Sequence, residues 1–411
     1  MGLPEHGMGH QEVLDALHAK RARDARWQDG KTFGMVYDGG PEVHAVAEAV
    51  AEMFLHENAL NTMAFPSLGE IQSEVTGACA ELFHGDTAAG FMTSGGTESI
   101  LMAVKSARER GRAERDITEP EMVIAESAHA AFHKAAHYFG VKVHKVAVRA
   151  DYRADVDAMA ALVNANTILV VGSAPQYPQG VIDPIPELAD VAASTGASMH
   201  VDACMGGFVL PFMEMNGDPV PPWDFRVAGV TTISADVHKL GYAPKGASVI
   251  MHRDKTLRRY QTFVFDDWLG GFYASPAMQG SRAGMPMATA WAVMHHLGID
   301  GYRRLVRTTI DTTRTIVAGV KAIPELALVG EPEAQIFAFT GTTIDAFALG
   351  DALQQRGWYL DRQMPPDSLH GTVSAGNAPV VDDFLADLRT CVAEVAGTRT
   401  DDRSTNYATL E

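Results

Sequence analysis

With 411 residues, 46% hydrophobic and 20% charged, the chain has the composition of an ordinary soluble globular protein and enough length for a large core and two domains. Its net charge of -18 argues against nucleic acid as the main partner, because a phosphate backbone calls for a basic surface. The three cysteines, Cys79, Cys204 and Cys391, form no Cys-x-x-Cys pair, so neither a zinc site nor a disulfide framework is indicated, and a reducing cytoplasm fits.

The first 30 residues mix charged and apolar side chains and read as helical, with no signal-peptide core. No stretch approaches the ~18 uninterrupted apolar residues of a spanning helix, so no membrane anchor is expected. A glycine-rich stretch, Gly30 to Gly40, carries Tyr37. A helix is predicted from Glu42 to Glu57, then a loop Asn58-Ala-Leu-Asn61-Thr-Met-Ala-Phe65-Pro66, then a helix from Ser67 to Phe83 with Ile71, Val75, Ala78 and Leu82 on its apolar face. Gly90 to Thr93 reads as a strand that turns at Ser94-Gly95-Gly96-Thr97 into a helix. Glycines let the backbone approach an anion, and free N–H groups at the helix start point toward it. Taken alone, such a turn is equally a tight strand-to-helix connection.

Strands and helices then alternate. Strands are predicted at 122–125, 141–148, 167–171 and 198–203, and helices at 128–139, 155–165 and 185–195. The run Val230 to Ala235 is a further buried strand. Continuous apolar strands spaced by helices predict a mostly parallel sheet covered on both faces, with ligands at the carboxyl ends of its strands. The Gly-, Pro- and aromatic-rich segment Asp266 to Pro286 reads as one long functional or interface loop. A long helix from about Thr289 to Ala322 leads into a smaller α/β domain ending near Ala396. The resulting boundaries are an N-terminal helical segment 1–60, a large domain 61–290, a small domain 291–400 and a polar tail 401–411, with fraying expected from Thr398 onward.

Four features share one chemistry. They are the phosphate-type turn Gly95-Gly96-Thr97, His129 after a strand, Asp202 at a strand end, and Lys239 beside His238 at the end of the next strand. Pyridoxal 5'-phosphate requires an N–H cradle, a planar ring partner, a carboxylate for its pyridine nitrogen and a lysine for its aldehyde. Desolvation is expected to lower the pKa of Lys239 and make the amine nucleophilic. Each residue alone has an ordinary structural role, and Cys204 reads as a small buried residue. Together and in this order they point to the cofactor.

The motifs Thr-Ser-Gly-Gly-Thr-Glu-Ser (93–99), Gly-Ser-Ala-Pro (172–175), His-Val-Asp-Ala-Cys-Met-Gly-Gly-Phe (200–208), Ser-Ala-Asp-Val-His-Lys-Leu-Gly-Tyr-Ala-Pro-Lys-Gly (234–246) and Gly-Ser-Arg-Ala-Gly (280–284) carry a family resemblance. The chain resembles the fold-type-I pyridoxal-phosphate enzymes, and within them the sphingosine-1-phosphate lyases, over most of its length. The related amino-acid decarboxylases usually lack a lysine at the position of Lys245 and a cysteine at that of Cys204. The resemblance implies that Lys239 binds the cofactor as a Schiff base, Asp202 pairs with the pyridine nitrogen and His129 stacks on the ring. It places Gly95, Gly96, Thr97, His238 and Ser281 near the cofactor, and Lys245, Tyr37, Tyr177, Asn58 and Asn61 toward the substrate. It further implies a homodimer with shared sites, and the cysteine usage and missing signal peptide place it in the cytoplasm as an expectation. The activity implied is retro-aldol cleavage of a phosphorylated long-chain amino alcohol to an aldehyde and phosphoethanolamine. Tyrosine and lysine would serve as acid and base, the tyrosine through a lowered pKa.

One departure stands out. The family loop Asn-Pro-Leu-His-Pro-Asp is here Asn58-Ala-Leu-Asn61-Thr-Met, so an asparagine replaces a histidine that faces the substrate. The alternatives are an amino-acid decarboxylase on the same scaffold and, less favoured, a non-catalytic protein that keeps the fold.

Overall fold

A computed structural model describes residues 2–405 and 407. Thirteen strands are found among them: β1 (Ala89–Thr93), β2 (Glu121–Ala125), β3 (Lys142–Val146), β4 (Thr167–Ser173), β5 (Ser198–Asp202), β6 (Val230–Ala235), β7 (Ser248–His252), β8 (Phe263–Phe265), β9 (Tyr273–Ser275), β10 (Leu326–Leu328), β11 (Ile336–Gly341), β12 (Asp361–Gln363) and β13 (Ser368–Thr372). Seven of them form the main sheet in the order β1-β7-β6-β5-β4-β2-β3. The neighbours from β6 to β3 run parallel, and β7 runs antiparallel to both β6 and β1.

The alternating chain dictates this arrangement. Parallel neighbours need crossovers, and the intervening helices cover both faces, so β4, β5 and β7 are buried along their whole length. β2 shows the two-faced burial directly. Val123 enters one core beside Val170 and Met199, while Met122 and Ile124 enter another with Ile100, Leu101 and Phe132. Proline begins the helices Pro41–Met53 and Pro66–Leu82, where its missing N–H costs nothing. Gly140 and Gly196, both at positive φ, end the helices Ala131–Phe139 and Ile185–Thr195.

The helix Gly284–Lys321 spans 38 residues and is interrupted at Gly298, whose φ is 55°. It links the main sheet to a second, antiparallel sheet ordered β10-β11-β13-β12. The second sheet has its own aromatic core of Phe337, Phe339, Trp358 and Phe384. Phe33, from the glycine-rich N-terminal stretch, completes that core, and Thr32 bridges to Tyr359.

Several local expectations shift. The N-terminal 30 residues hold one helix, His10–Arg21, with no buried residue, and a short 3-10 turn at Trp27–Asp29. The predicted helix 155–165 shortens to Val156–Ala160. The segment 266–286 is not one loop. Its first half closes the antiparallel pair β8–β9, and its end already belongs to the long helix. Aromatic pairing of Phe263 and Trp268 with Tyr273 supplies the cross-strand contacts that the Gly- and Pro-rich composition hid. Of the polar tail, Asn406 and residues 408–411 lie outside the described residues. The described part does not fray free: Arg403 binds Asp345 and Asp367, and Tyr407 packs on Tyr177.

Candidate active site

The carboxyl ends of β1, β2, β4, β5 and β6 surround a cavity of about 410 Å³. Gly95, Gly96, Thr97, His129, Tyr177, Asp202, His238 and Lys239 line it together with Cys204 and Tyr407. Strand ends converge here because parallel strands all finish on the same side of the sheet.

The glycine turn after β1 opens the helix Gly96–Arg115, whose first N–H groups have no partner within the helix. Gly96 is required by close approach: a Cβ there would stand 2.7 Å from Asp236 Oδ2 and 2.8 Å from Cys204 Sγ. Buried Glu98 braces the turn, accepting Ser94 N and Ser94 Oγ, both at 2.7 Å, on Oε2. Its Oε1 accepts Met278 N at 2.7 Å, which ties the segment after β9 to the turn. Sequence reasoning gave Glu98 no role.

Asp202 is 7% exposed at the end of β5. Its Oδ1 accepts Cys204 N at 3.1 Å and Ser234 Oγ at 3.3 Å. Ser234 is held in turn by buried His200, whose pKa burial lowers to about 4, so the ring is neutral. Oδ1 of the carboxylate is thus held by a hydrogen-bonded network. Cys204 is a buried thiol, as expected, and burial pushes its pKa well up.

His129 Nδ1 accepts Ala131 N at 3.1 Å, which leaves the ring proton on Nε2, 3.1 Å from Tyr407 Oη. His238 Nδ1 accepts Gly246 N and Ala247 N at 3.3 and 3.2 Å, so its proton also sits on Nε2. Burial lowers the pKa of both rings, that of His238 to about 4.

Lys239 corrects the expectation of a lowered pKa. Burial does act to lower it, but Lys239 Nζ lies 3.0 Å from buried Asp236 Oδ2, and that ion pair raises the lysine well above its ordinary value. Burial likewise opposes ionisation of Asp236, yet the Lys239 ammonium wins and lowers its pKa. The other oxygen of Asp236 is buried without a partner among the described residues.

The tyrosines correct a second expectation. Burial pushes Tyr37 up to about 12 even though the Lys239 ammonium acts to lower it. Tyr177 is raised by burial and by Asp361, whose Oδ2 accepts its hydroxyl proton at 2.7 Å. Neither is a tyrosinate at neutral pH.

Five expected residues do not line this cavity. Tyr37 stands beside it, with Lys245 Nζ 4.8 Å above its ring. Lys245 also donates to His238 O at 2.9 Å, and the surrounding protein and Lys239 lower its pKa to about 8 although part of the side chain meets solvent. Asn58 donates to Ser281 Oγ at 3.2 Å and accepts Arg282 N at 3.2 Å. Asn61 is exposed and accepts Met63 N at 2.9 Å within its own turn. Tyr407 was missed by sequence reasoning, since nothing local to a polar tail reports where it docks.

The residues fit pyridoxal 5'-phosphate. A helix start faces a glycine-lined concavity, a charged lysine and a held carboxylate share one cavity, and a neutral histidine ring flanks it. Fold and site define a pyridoxal-phosphate-dependent enzyme of fold type I. A model of the pyridoxal-dependent decarboxylase conserved domain matches residues 26–341. Sphingosine-1-phosphate lyase of Arabidopsis thaliana is 44% identical over 96% of this chain and 74% of its own length. The solved sphingosine-1-phosphate lyase of Burkholderia pseudomallei shares 39% identity at a TM-score of 0.93, covering 97% of this chain and 93% of that one. A probable L-aspartate decarboxylase of Pyrococcus abyssi is 33% identical over 94% of this chain and 98% of its own length. The chain belongs to the pyridoxal-dependent decarboxylase family, in its sphingosine-1-phosphate lyase branch.

Proposed function

We propose that the chain is a pyridoxal-phosphate-dependent aldehyde-lyase. Its substrate is a phosphorylated long-chain amino alcohol of the sphingosine 1-phosphate class, and its products are a long-chain aldehyde and phosphoethanolamine. The observation that carries this reading is the second cation, Lys245, stacked on Tyr37 beside the lysine–carboxylate–histidine site. Such a pair suits a phosphate on the substrate.

The bound cofactor supplies the electron sink that lets the Cα–Cβ bond break. Lys239 would anchor it, Asp202 would keep its pyridine nitrogen protonated, and His129 would flank its ring. The Gly95-Gly96-Thr97 turn and the Nε2–H of His238 would hold its phosphate. Tyr177 stands at the substrate hydroxyl as its proton-transfer partner, and Lys245 and Tyr37 hold the substrate phosphate. Supplied with a sphingoid base phosphate and with acidic amino acids, and assayed for aldehyde and carbon dioxide in parallel, the enzyme is expected to release aldehyde alone. Carbon dioxide from an amino acid, with the phosphorylated base untouched, would replace this reading by the decarboxylase one, which the Pyrococcus relative keeps in view.

The functional unit in this reading is a cytoplasmic homodimer. No helix among the described residues is long and apolar enough to cross a membrane. In the two chain segments that carry Asn58 and Ser281, large apolar side chains stand in solvent, among them Met63 at 89% and Trp268 at 58% exposure. A second copy covering them would bring Asn58, Asn61 and Ser281 to a shared site. Sedimentation should show a dimer at assay concentration, and a fully active monomer would overturn the shared-site arrangement.

A further inference from the structure

Tyr177 does not face the cavity alone. Two residues of the second sheet, Asp361 on β12 and His370 on β13, are cross-strand register partners and lie directly against it. The Tyr177 hydroxyl donates to Asp361 Oδ2 at 2.7 Å. His370 Nε2 donates to the Tyr177 carbonyl at 3.0 Å, and the two rings lie 4.3 Å apart.

That bond puts a proton on Nε2, and burial, which lowers the His370 pKa to about 4, keeps the ring neutral. With its proton on Nε2, Nδ1 carries only a lone pair. Nδ1 is buried without a hydrogen-bond partner, 3.9 Å from Asp361 Oδ2. A lone pair facing a carboxylate at this distance is unfavourable, and a neutral carboxylic acid there is not. Protonation of Asp361 therefore removes the repulsion between its charge and the His370 Nδ1 lone pair.

We infer that Asp361 is the proton store behind Tyr177 and that His370 stabilises its protonated form. This rests on the proposed role of Tyr177 at the substrate hydroxyl. The substrate O–H bond breaks, its electron pair stays on the substrate oxygen, and the proton goes to Tyr177 Oη. The original Tyr177 proton moves to Asp361 Oδ2, so the phenol stays neutral throughout. The neutral carboxyl no longer repels the lone pair on His370 Nδ1. A raised tyrosine pKa, which makes Tyr177 a poor base alone, is no obstacle to such a relay. Burial raises Asp361 against the opposing Tyr177 hydrogen bond, and lowers His370 to about 4, so His370 stays neutral at working pH.

The other groups around the pair are accounted for. Tyr37, His129 and Tyr407 face Tyr177 from the N-terminal stretch, the cavity and the tail. Tyr359 lies near Asp361. Arg362, next in the chain, is bound to Asp351 and Asp402, and Glu126 and Lys145 line the adjoining cavity with Asp361.

The test uses the holoenzyme and the variants Tyr177→Phe, Asp361→Asn and the double variant. Asparagine can still accept the Tyr177 hydrogen bond but cannot take its proton. Asp361→Asn is expected to lower kcat about 10²-fold with KM little changed. The wild-type kcat/KM falls as pH drops through the Asp361 pKa, and that acid limb should vanish in Asp361→Asn. The double variant should be no slower than Tyr177→Phe. In the cofactor-free protein, tyrosinate absorbance should rise at lower pH in Asp361→Asn, because the neighbouring negative charge is gone. His370→Gln is the second variant should Asp361→Asn not fold, and it should move the acid limb to lower pH. A slow Tyr177→Phe beside a normal Asp361→Asn overturns the relay alone. A normal Tyr177→Phe overturns the role of Tyr177 and the relay with it, and the aldehyde assay on the wild type reports separately on the lyase reading.

Discussion

Lys239→Ala is expected to abolish turnover, with a loss of about 10⁴–10⁶-fold, the scale seen when an enzyme loses its nucleophile. Borohydride reduction of the wild type should fix the cofactor to the peptide containing Lys239, and the variant should give no adduct. An adduct on Lys245, six positions on, would show that the anchor was misassigned. The variant also has a predictable cost outside catalysis. Lys239 Nζ, at the cavity wall, is the close cation of Asp236, which lies 3.0 Å away and is buried. Removing one member of a buried pair typically costs about 3–5 kcal/mol. In the wild type the lowered Asp236 pKa contributes stability above the ordinary carboxylate range, lost as pH falls through the folded value. In Lys239→Ala the carboxylate is left uncompensated, so its pKa rises and the penalty grows with pH. Adding Asp236→Asn should restore much of the thermal stability while leaving the enzyme inactive. A double variant no more stable than Lys239→Ala would show that the pair is not what holds this turn.

Asp202→Asn is the second large effect. The substitution keeps the shape and the Oδ1 bonds to Cys204 N and Ser234 Oγ. In the proposed role of Asp202 it removes only the charge that would keep the pyridine nitrogen of the cofactor protonated, and with it most of the electron-withdrawing power of the ring. Losing one preorganised electrostatic contact in a dry site costs about 10²–10³-fold in kcat. The cofactor should still bind to Lys239 and give a visible band, with a larger dissociation constant. Retention of full kcat would mean that another group protonates the ring nitrogen.

Much of the site was legible from local sequence. A buried strand, a glycine turn and a helix start are specified by residues a few positions apart, so the Gly95-Gly96-Thr97 turn, Asp202 and Lys239 could be placed at strand ends. The same locality hid the rest. Tyr177 and Asp361 are 184 positions apart, and their hydrogen bond exists only because the second sheet packs against the loop after β4. Glu98 and Met278 are 180 apart. Tyr407 comes from a tail whose composition predicts only exposure.

By itself, then, the sequence determined the class of cofactor, the alternating α/β architecture and the strand ends that carry the chemistry, because burial pattern and turn chemistry are short-range properties. The tertiary structure alone decided the sheet order, the antiparallel insertion of β7, the entry of Phe33 into the C-terminal core and the company each titratable group keeps. Ionisation shows the division most clearly. A lysine expected at lowered pKa is raised by Asp236, and tyrosines expected to ionise are held neutral by burial and by Asp361. Desolvation and Coulomb interaction depend on distance in space, and no spacing along the chain encodes that distance.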